Sequence, residues 1–399
     1  MEQFDLVIIG GGISGLSLAQ FITSSRPGGM RVAVLEKDAH PGGAIQTIRL
    51  ERDFWLELGT HTAYNSYGRM LDLMEAGGVM EQLLGRNKVP WLFWEDGVTR
   101  KVTAKLHWLE LAANIPRLFF TKKDGLSVEQ YFSRVLGKRN FSQVLGPMVG
   151  AVTSQDARDF PAAMLFKKRP RRKDVRRSFT LEGGLQTATD AMAAASGVSF
   201  FPNCEVREII RKGAAFHVTT TGGTYSAPTL GLATQPTAGA ELMKNIFPEV
   251  AQALAKIGQT EVETVGVVVP RAETELPALA GLVSPGGGFY SVVSRDTVDH
   301  PDYRGFAFHF RPGLTDGAKD EQIAAVLGVS KNKWEHRTAK ANPLPTPVMG
   351  HPALLAELER AIEGQSLLVT GNYFEGLALE DCVGRSAHQA ARFFSQEPS

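Results

Sequence analysis

Residues 4–36 constrain this chain more than any other stretch. Residues 4–9 (FDLVII) are a short apolar run rich in β-branched side chains, the pattern of a buried strand. Gly10-Gly11-Gly12-Ile13-Ser14-Gly15 follows, then the amphipathic segment 16–25, then a second apolar run, 31–35 (RVAVL), that ends on Glu36. Strand, glycine turn, helix, strand and acid, in this order, make a dinucleotide-binding βαβ unit. Gly10 allows the tight turn out of the first strand, Gly12 lets the backbone approach a pyrophosphate, and Gly15 lets the helix lie against the sheet. The helix start at Ile13 and Ser14 offers free N–H groups and a positive dipole end to phosphate oxygens. Glu36 stands 21 residues after Gly15, where a carboxylate can accept both ribose hydroxyls and would repel a 2′-phosphate. That argues against NADP and leaves NAD and FAD. A glycine turn without a ligand is the competing reading, and the strand, helix and acid around it weigh against that.

Just past the acid come Lys37 and, at residues 40–47, His40-Pro41-Gly42-Gly43-Ala44-Ile45-Gln46-Thr47. The second glycine pair, Gly42 and Gly43, would bring backbone amides to the same pyrophosphate. With these residues the unit resembles the FAD-binding start of the superfamily that holds protoporphyrinogen oxidases, phytoene desaturases and flavin amine oxidases. Within it, GGxIQT is most similar to bacterial protoporphyrinogen oxidases. Many relatives carry Arg where Ala44 stands, a departure that removes one phosphate contact and keeps the backbone ones.

The resemblance extends over nearly the whole chain. It implies an α/β fold in which a discontinuous Rossmann-like FAD-binding domain carries a substrate domain built on an antiparallel sheet and a helical insert. Residues 1–64, 176–258 and 353–399 would form the FAD domain, 65–175 the insert and 259–352 the substrate sheet. FAD would be held without a covalent link, since no Cys or His lies in a flavin-linking context. The segment 54–59 (FWLELG) matches the family's Glu-x-Gly at Glu57 and Gly59, so Gly59, Thr60 and Ala44 would approach the flavin. His61 is the nearest titratable side chain to that site; a polar loop position is the preferred reading, a substrate contact the alternative. The residue matching Val206 pairs its backbone with the adenine. Residues 182–187 (EGGLQT) again resemble the protoporphyrinogen oxidase branch. The ending, Gly371-Asn372 and then Ala378, Leu379 and Asp381-Cys382-Val383, resembles that branch's second FAD motif, where a helix start near Leu379 faces the flavin. Cys382 reads as a packed small residue. The family's PxYxxGH is here Pro345-Thr346-Pro347-Val348-Met349-Gly350-His351, without the Tyr.

Composition narrows the remaining options. The 399 residues suffice for two or three domains, and 43% hydrophobic with 21% charged residues is an ordinary globular balance. A net charge of +1 gives no general reason to expect nucleic acid. Two cysteines, Cys204 and Cys382, make neither a disulfide framework nor a CxxC, and the histidines show no metal-binding spacing. A strand beginning at residue 4 argues against a signal peptide, and no apolar run spans a membrane, so a cytoplasmic protein is expected, with peripheral membrane contact as a reservation. The oligomeric state stays open.

Two stretches bear on that reservation. Residues 105–120 carry Leu106, Trp108, Leu109, Leu111, Ile115, Leu118, Phe119 and Phe120 at helical spacing. Core packing is the preferred reading and a bilayer interface the alternative, as in the family, where the insert is linked to membrane attachment. Residues 167–177 (KKRPRRKDVRR) hold eight Lys/Arg and one Asp in eleven residues. They read as a solvated loop, a lipid-headgroup contact or an attractor of an anionic substrate or a protein partner. Elsewhere, 65–84 reads as helical, 91–102 as a hairpin, 127–136 as a helix capped by Ser127, and 342–352 as a rigid Pro-rich connection. The reaction implied is hydride transfer from a porphyrinogen-type substrate to flavin, with no obligatory catalytic base. An amine or polyene oxidoreductase is the second reading, and a flavoprotein partner without turnover the third.

Overall fold

The computed structural model describes residues 1–26 and 28–395. Its centre is a five-stranded parallel sheet in the order Val198–Phe201, Val32–Leu35, Leu6–Ile9, Thr229–Leu232, Leu367–Val369. Leu6–Ile9 and Val32–Leu35 are buried at every position, which explains their unbroken apolar runs: a parallel sheet is covered on both faces. Leu6, Ile8, Val32 and Val34 point toward the helices Ile13–Ser25, Gln186–Ala193 and Leu379–Ser395. Val7, Ile9, Ala33 and Leu35 point the other way, into a core shared with Phe216, Val218, Tyr225, Val250 and Leu358. There the meander Val206–Lys212, Ala215–Thr220, Thr224–Ala227 covers the sheet and is extended by Glu2–Gln3.

A second sheet has seven strands, ordered His336–Pro345, Gln259–Pro270, Tyr303–Phe310, Phe289–Ser294, Gly281–Val283, Trp91–Glu95, Val98–Lys101. All neighbours are antiparallel except Gly281–Val283 with Trp91–Glu95. The hairpin read at 91–102 is therefore this sheet's edge, although it precedes the other strands by well over a hundred residues. One face is closed by the helix Asp316–Leu327, whose Ile323, Val326 and Leu327 meet Val265, Val267, Phe306 and Phe308. The other face lies over the segment leading to Gly59: Val268 packs with Phe54 and Leu56, and Asn342 Nδ2 donates to Leu58 O at 3.3 Å.

Three local expectations need correction. Residues 65–84 are not one helix; Gly68–Ala76 is helical, Gly77-Gly78 break it, and Leu83–Gly85 becomes a strand. The Pro-rich connection begins later than its composition suggests. Residues 342–345 still belong to His336–Pro345, an edge strand pairing only with Gln259–Pro270, so Pro343 and Pro345 sit where a missing N–H is tolerated. The third correction is functional. Residues 105–120 are not a core helix: Trp108–Asn114 and the 3₁₀ segment Ile115–Phe119 leave Leu109 90%, Phe120 86%, Phe119 80% and Trp108 62% exposed. The reason is polar. Glu110 turns inward and accepts from the backbone N–H groups of Arg139 and Asn140, each at 3.2 Å, and Asn140 also binds His107. With its polar side holding the insert together, this helix turns its apolar side out. The next helix, Val128–Leu136, begins with Ser127 and Gln130 in a reciprocal cap.

Candidate functional site

Both glycine turns meet at the carboxyl edge of the parallel sheet. Gly10 has φ +107°, and a Cβ there would stand 2.6 Å from Ala233 O, so only glycine lets the chain leave the strand this way. Gly42 N donates to Gly11 O at 2.8 Å and Gly12 bridges Gly42, which sets the second turn beside the first. From the other sheet Lys340 Nζ reaches Gly43 O at 2.5 Å. The helix Ile13–Ser25 has no side-chain N-cap and no acid in its first turn, yet Ile13, Ser14 and Gly15 are buried. A buried, uncapped helix start is a ready anion site.

Glu36 is 7% exposed; Oε2 accepts from Gly11 N at 2.7 Å and Oε1 from Asp38 N at 3.0 Å. Each oxygen retains lone-pair capacity for a ribose hydroxyl. The Lys37 side chain points to solvent beside Asp38, so its backbone is the part near the cradle. Cys204 N bonds Glu36 O at 2.7 Å and Asn203 N bonds Asp38 O at 3.0 Å, which carries Val206 to the same corner. Gly59 lies so close to Ala44 that a Cβ would strike Ala44 O, and Thr60 N donates to that oxygen at 3.3 Å.

The far end of the chain closes the cradle. Gly371 and Asn372 follow the strand Leu367–Val369, and Ala378 leads into the helix that starts at Leu379. Ser386 Oγ donates to Ser14 O at 2.8 Å and pairs with Thr370 Oγ1 at 2.9 Å, which pins this helix to the first. Buried Asp381, in its first turn, is clamped by Lys167 at 3.0 Å and Arg169 at 2.5 Å. Part of the basic run 167–177 is thus a latch on the cofactor domain, while Lys168, Arg171, Lys173, Arg176 and Arg177 are exposed. Cys382 is buried, and burial pushes its thiol up to about 12, a packing residue rather than a nucleophile.

Two of the motifs that carry the family resemblance bind each other. Thr47 N donates to Gln186 Oε1 at 2.9 Å and Gln186 N to Thr47 Oγ1 at 3.2 Å. Thr47 Oγ1 donates to Glu57 Oε2 and Leu185 N to Glu57 Oε1, both at 2.7 Å. Thr47, the Glu-x-Gly acid and EGGLQT are one buried network that sets the height of Gly59. Burial raises Glu57 to about 7 against the opposing pull of these hydrogen bonds.

His61 lies in the loop after Gly59 and is half-buried. It sits under the inner face of the seven-stranded sheet, 6.4 Å from the His309 ring, centroid to centroid. Burial, then Arg86 and His309, hold it down to about 3; burial alone holds His309 down to about 4. Each ring is held by a partner. His61 Nδ1 lies 3.2 Å from Gly59 O and must donate, so its Nε2 is an acceptor. Thr264 Oγ1 accepts from Asn342 Nδ2 at 3.1 Å and pairs with His309 Nδ1 at 2.9 Å, which fixes the His309 ring against the sheet. Two neutral imidazoles thus lie side by side. His309, Thr264, Asn342, Lys340, Arg86 and Arg295 escape a reading of motifs, because no spacing relates strands of one sheet to a loop of another domain.

A two-turn glycine cradle, a buried acid, a closing helix from the far end of the chain and a roofing antiparallel sheet define a dinucleotide-binding fold built on two large sheets. Residues 8–76 match the family model described as NAD(P)-binding Rossmann-like domain. The flavin-containing amine oxidase of Danio rerio is 34% identical over 78 residues, covering 20% of this chain and 14% of that protein. Among solved structures, a protein of Exiguobacterium sp. 255-15 provisionally named protoporphyrinogen oxidase superposes with a TM-score of 0.78 at 16% identity, over 99% of each chain. A putrescine oxidase variant superposes with a TM-score of 0.70 at 16% identity, over 99% of this chain and 100% of that one. At these identities what is shared with the solved structures is the fold.

Proposed function

We propose that the protein is an FAD-dependent oxidoreductase whose substrate is a porphyrinogen-type reduced tetrapyrrole. The observation that carries the cofactor reading is the convergence at one sheet edge of Gly10–Gly15, Glu36, Gly42-Gly43 and the helix start at Leu379. Glu36 suits the ribose, the uncapped first helix the pyrophosphate, and the backbone of Ala44, Gly59, Thr60, Gly371 and Asn372 the flavin. Bound FAD supplies the two-electron chemistry, accepting a hydride from a substrate C–H bond before oxygen or another acceptor restores it. The chain's own residues exclude water under the seven-stranded sheet and set two neutral imidazoles, His61 and His309, beside the loop that carries Gly59.

The tetrapyrrole reading is supported by GGAIQT, EGGLQT and GN followed by DCV, and by the end-to-end likeness of fold to the Exiguobacterium protein. The zebrafish match and the putrescine oxidase fold support an amine oxidase as the second reading. Protoporphyrinogen or coproporphyrinogen added in air should raise porphyrin fluorescence faster than the uncatalysed rate. Bleaching of the bound flavin by amines but by neither porphyrinogen, under argon, would transfer the assignment to the amine class.

Membrane docking belongs to the same proposal. Phe119, Phe120 and Phe166 are exposed beside Lys122 and Lys168, and Lys123 ties the two stretches by donating to Leu165 O at 2.7 Å. Apolar side chains ringed by cations suit an anionic bilayer surface. No helix among the described residues is long and apolar enough to cross a membrane.

A further inference from the structure

We propose that Arg86 and Arg295 form an anion subsite for a single carboxylate group beneath the inner face of the seven-stranded sheet. It deepens the functional reading by giving the substrate's chemistry, an acid rather than an ammonium, and rests on that reading only for its substrate arm.

The two guanidinium groups border a cavity of about 30 Å³ together with His61, Thr180, Ser294 and Thr297. Arg86 Nε donates to Thr297 Oγ1 at 3.0 Å and its Nη1 to Thr62 Oγ1, both neutral hydroxyls. Arg295 Nη1 donates to Val298 O at 2.8 Å, and its plane lies over the Trp55 ring at 3.9 Å and the Phe54 ring at 4.6 Å. Neither has a carboxylate ion-pair partner among the described residues. Glu57, the one acid bordering the cavity, has both oxygens engaged by Thr47 and Leu185.

Glu57 pulls on both guanidinium groups and Asp299 on Arg295, but neither acid makes an ion-pair contact with them, and two half-buried cations so weakly compensated are an expensive arrangement unless an anion joins them. Burial accordingly lowers Arg86 and brings Arg295 down to about 10. Two polar atoms are poised for the same visitor. Arg295 Nε and Thr180 Oγ1 are buried without partners, and Thr180 is only 3% exposed. A guanidinium edge and a hydroxyl are the donors a carboxylate takes, and Arg presents them in a fixed fork. The cavity volume exceeds the roughly 10–15 Å³ of such space that one water requires, so a carboxylate head or a small free anion fits. An ammonium head would meet two fixed positive charges.

Calorimetric titration of the FAD-loaded protein with sodium formate, acetate, chloride and methylammonium tests the subsite without any turnover. Formate and acetate should bind saturably and methylammonium should not. Arg86→Gln and Arg295→Gln should each weaken formate roughly tenfold or more. Thr180→Val, which keeps shape and charge, should weaken it severalfold and serves if an arginine variant fails to fold. A substrate carboxylate in the subsite makes formate competitive with an acid donor, and Arg86→Gln then raises that donor's KM but not that of its methyl ester. A free anion instead gives chloride binding as tight as formate and equal KM changes for acid and ester. Absence of saturable binding by formate, acetate and chloride, or unchanged formate affinity in the folded variants, would overturn the proposal. Saturable formate binding in a protein whose flavin no donor reduces would leave the subsite standing and remove the functional reading alone.

Discussion

Glu36 and Glu57 are buried carboxylates with different tasks. Glu36 accepts from Gly11 and Asp38 and faces the nucleotide cradle. Glu36→Ala should weaken FAD binding by about 1.5–3 kcal/mol for each charge-assisted hydrogen bond lost, read by titrating apo-protein with FAD. An unchanged dissociation constant would place the ribose elsewhere. Glu57 is internal, and its folded value of about 7 lies above its ordinary 4.5. Its contribution to stability is therefore fully present below about pH 4.5 and lost as pH rises through about 7, a swing of about 3 kcal/mol. Glu57→Gln should flatten that part of the stability–pH curve in denaturant unfolding. Glu57 was visible in the sequence as part of a motif; its protonation was not, because that depends on Thr47 and Leu185 closing over it.

The element that most departs from its sequence pattern is the insert segment 108–120. Helical spacing of apolar residues specifies an amphipathic helix but not which way it faces. Here the hydrogen bonds of Glu110 and Asn140 decide, and they turn the apolar side outward. Replacing Leu109, Phe119 and Phe120 together by Ser should change stability by no more than about 0.5 kcal/mol per site, as for exposed positions, against about 2–5 kcal/mol for each buried one. The same variant should lose co-sedimentation with anionic vesicles. Equal sedimentation of variant and parent would remove the membrane proposal, and a large drop in melting temperature would mean the side chains are packed. Substituting the exposed Lys168, Arg171 and Lys173 should weaken attachment mainly at low salt. Lys167 and Arg169 are unsuitable for that test because they hold Asp381.

At the scale of the whole molecule, the parallel sheet is assembled from strands near residues 6, 32, 198, 229 and 367, and its cradle is closed by a helix that ends the described chain. Ending the chain after residue 350 removes an edge strand and the helix that Ser386 pins to Ser14, so such a protein should retain no FAD after gel filtration. Retention at the parent's stoichiometry would show the cradle to be complete without them. The sequence by itself determined the cradle: buried parallel strands write themselves as unbroken apolar runs, and tight phosphate turns admit little but glycine, so both leave local signatures. It also carried the discontinuity of the domain, through motifs at the two ends. Tertiary structure alone decided what gathers beneath the seven-stranded sheet. His61 with His309, Lys340 over Gly43, and Arg86 facing Arg295 each join residues more than two hundred positions apart. Their chemistry comes from burial and from missing or shared partners, quantities that exist only once the sheet has closed over residues 54–61.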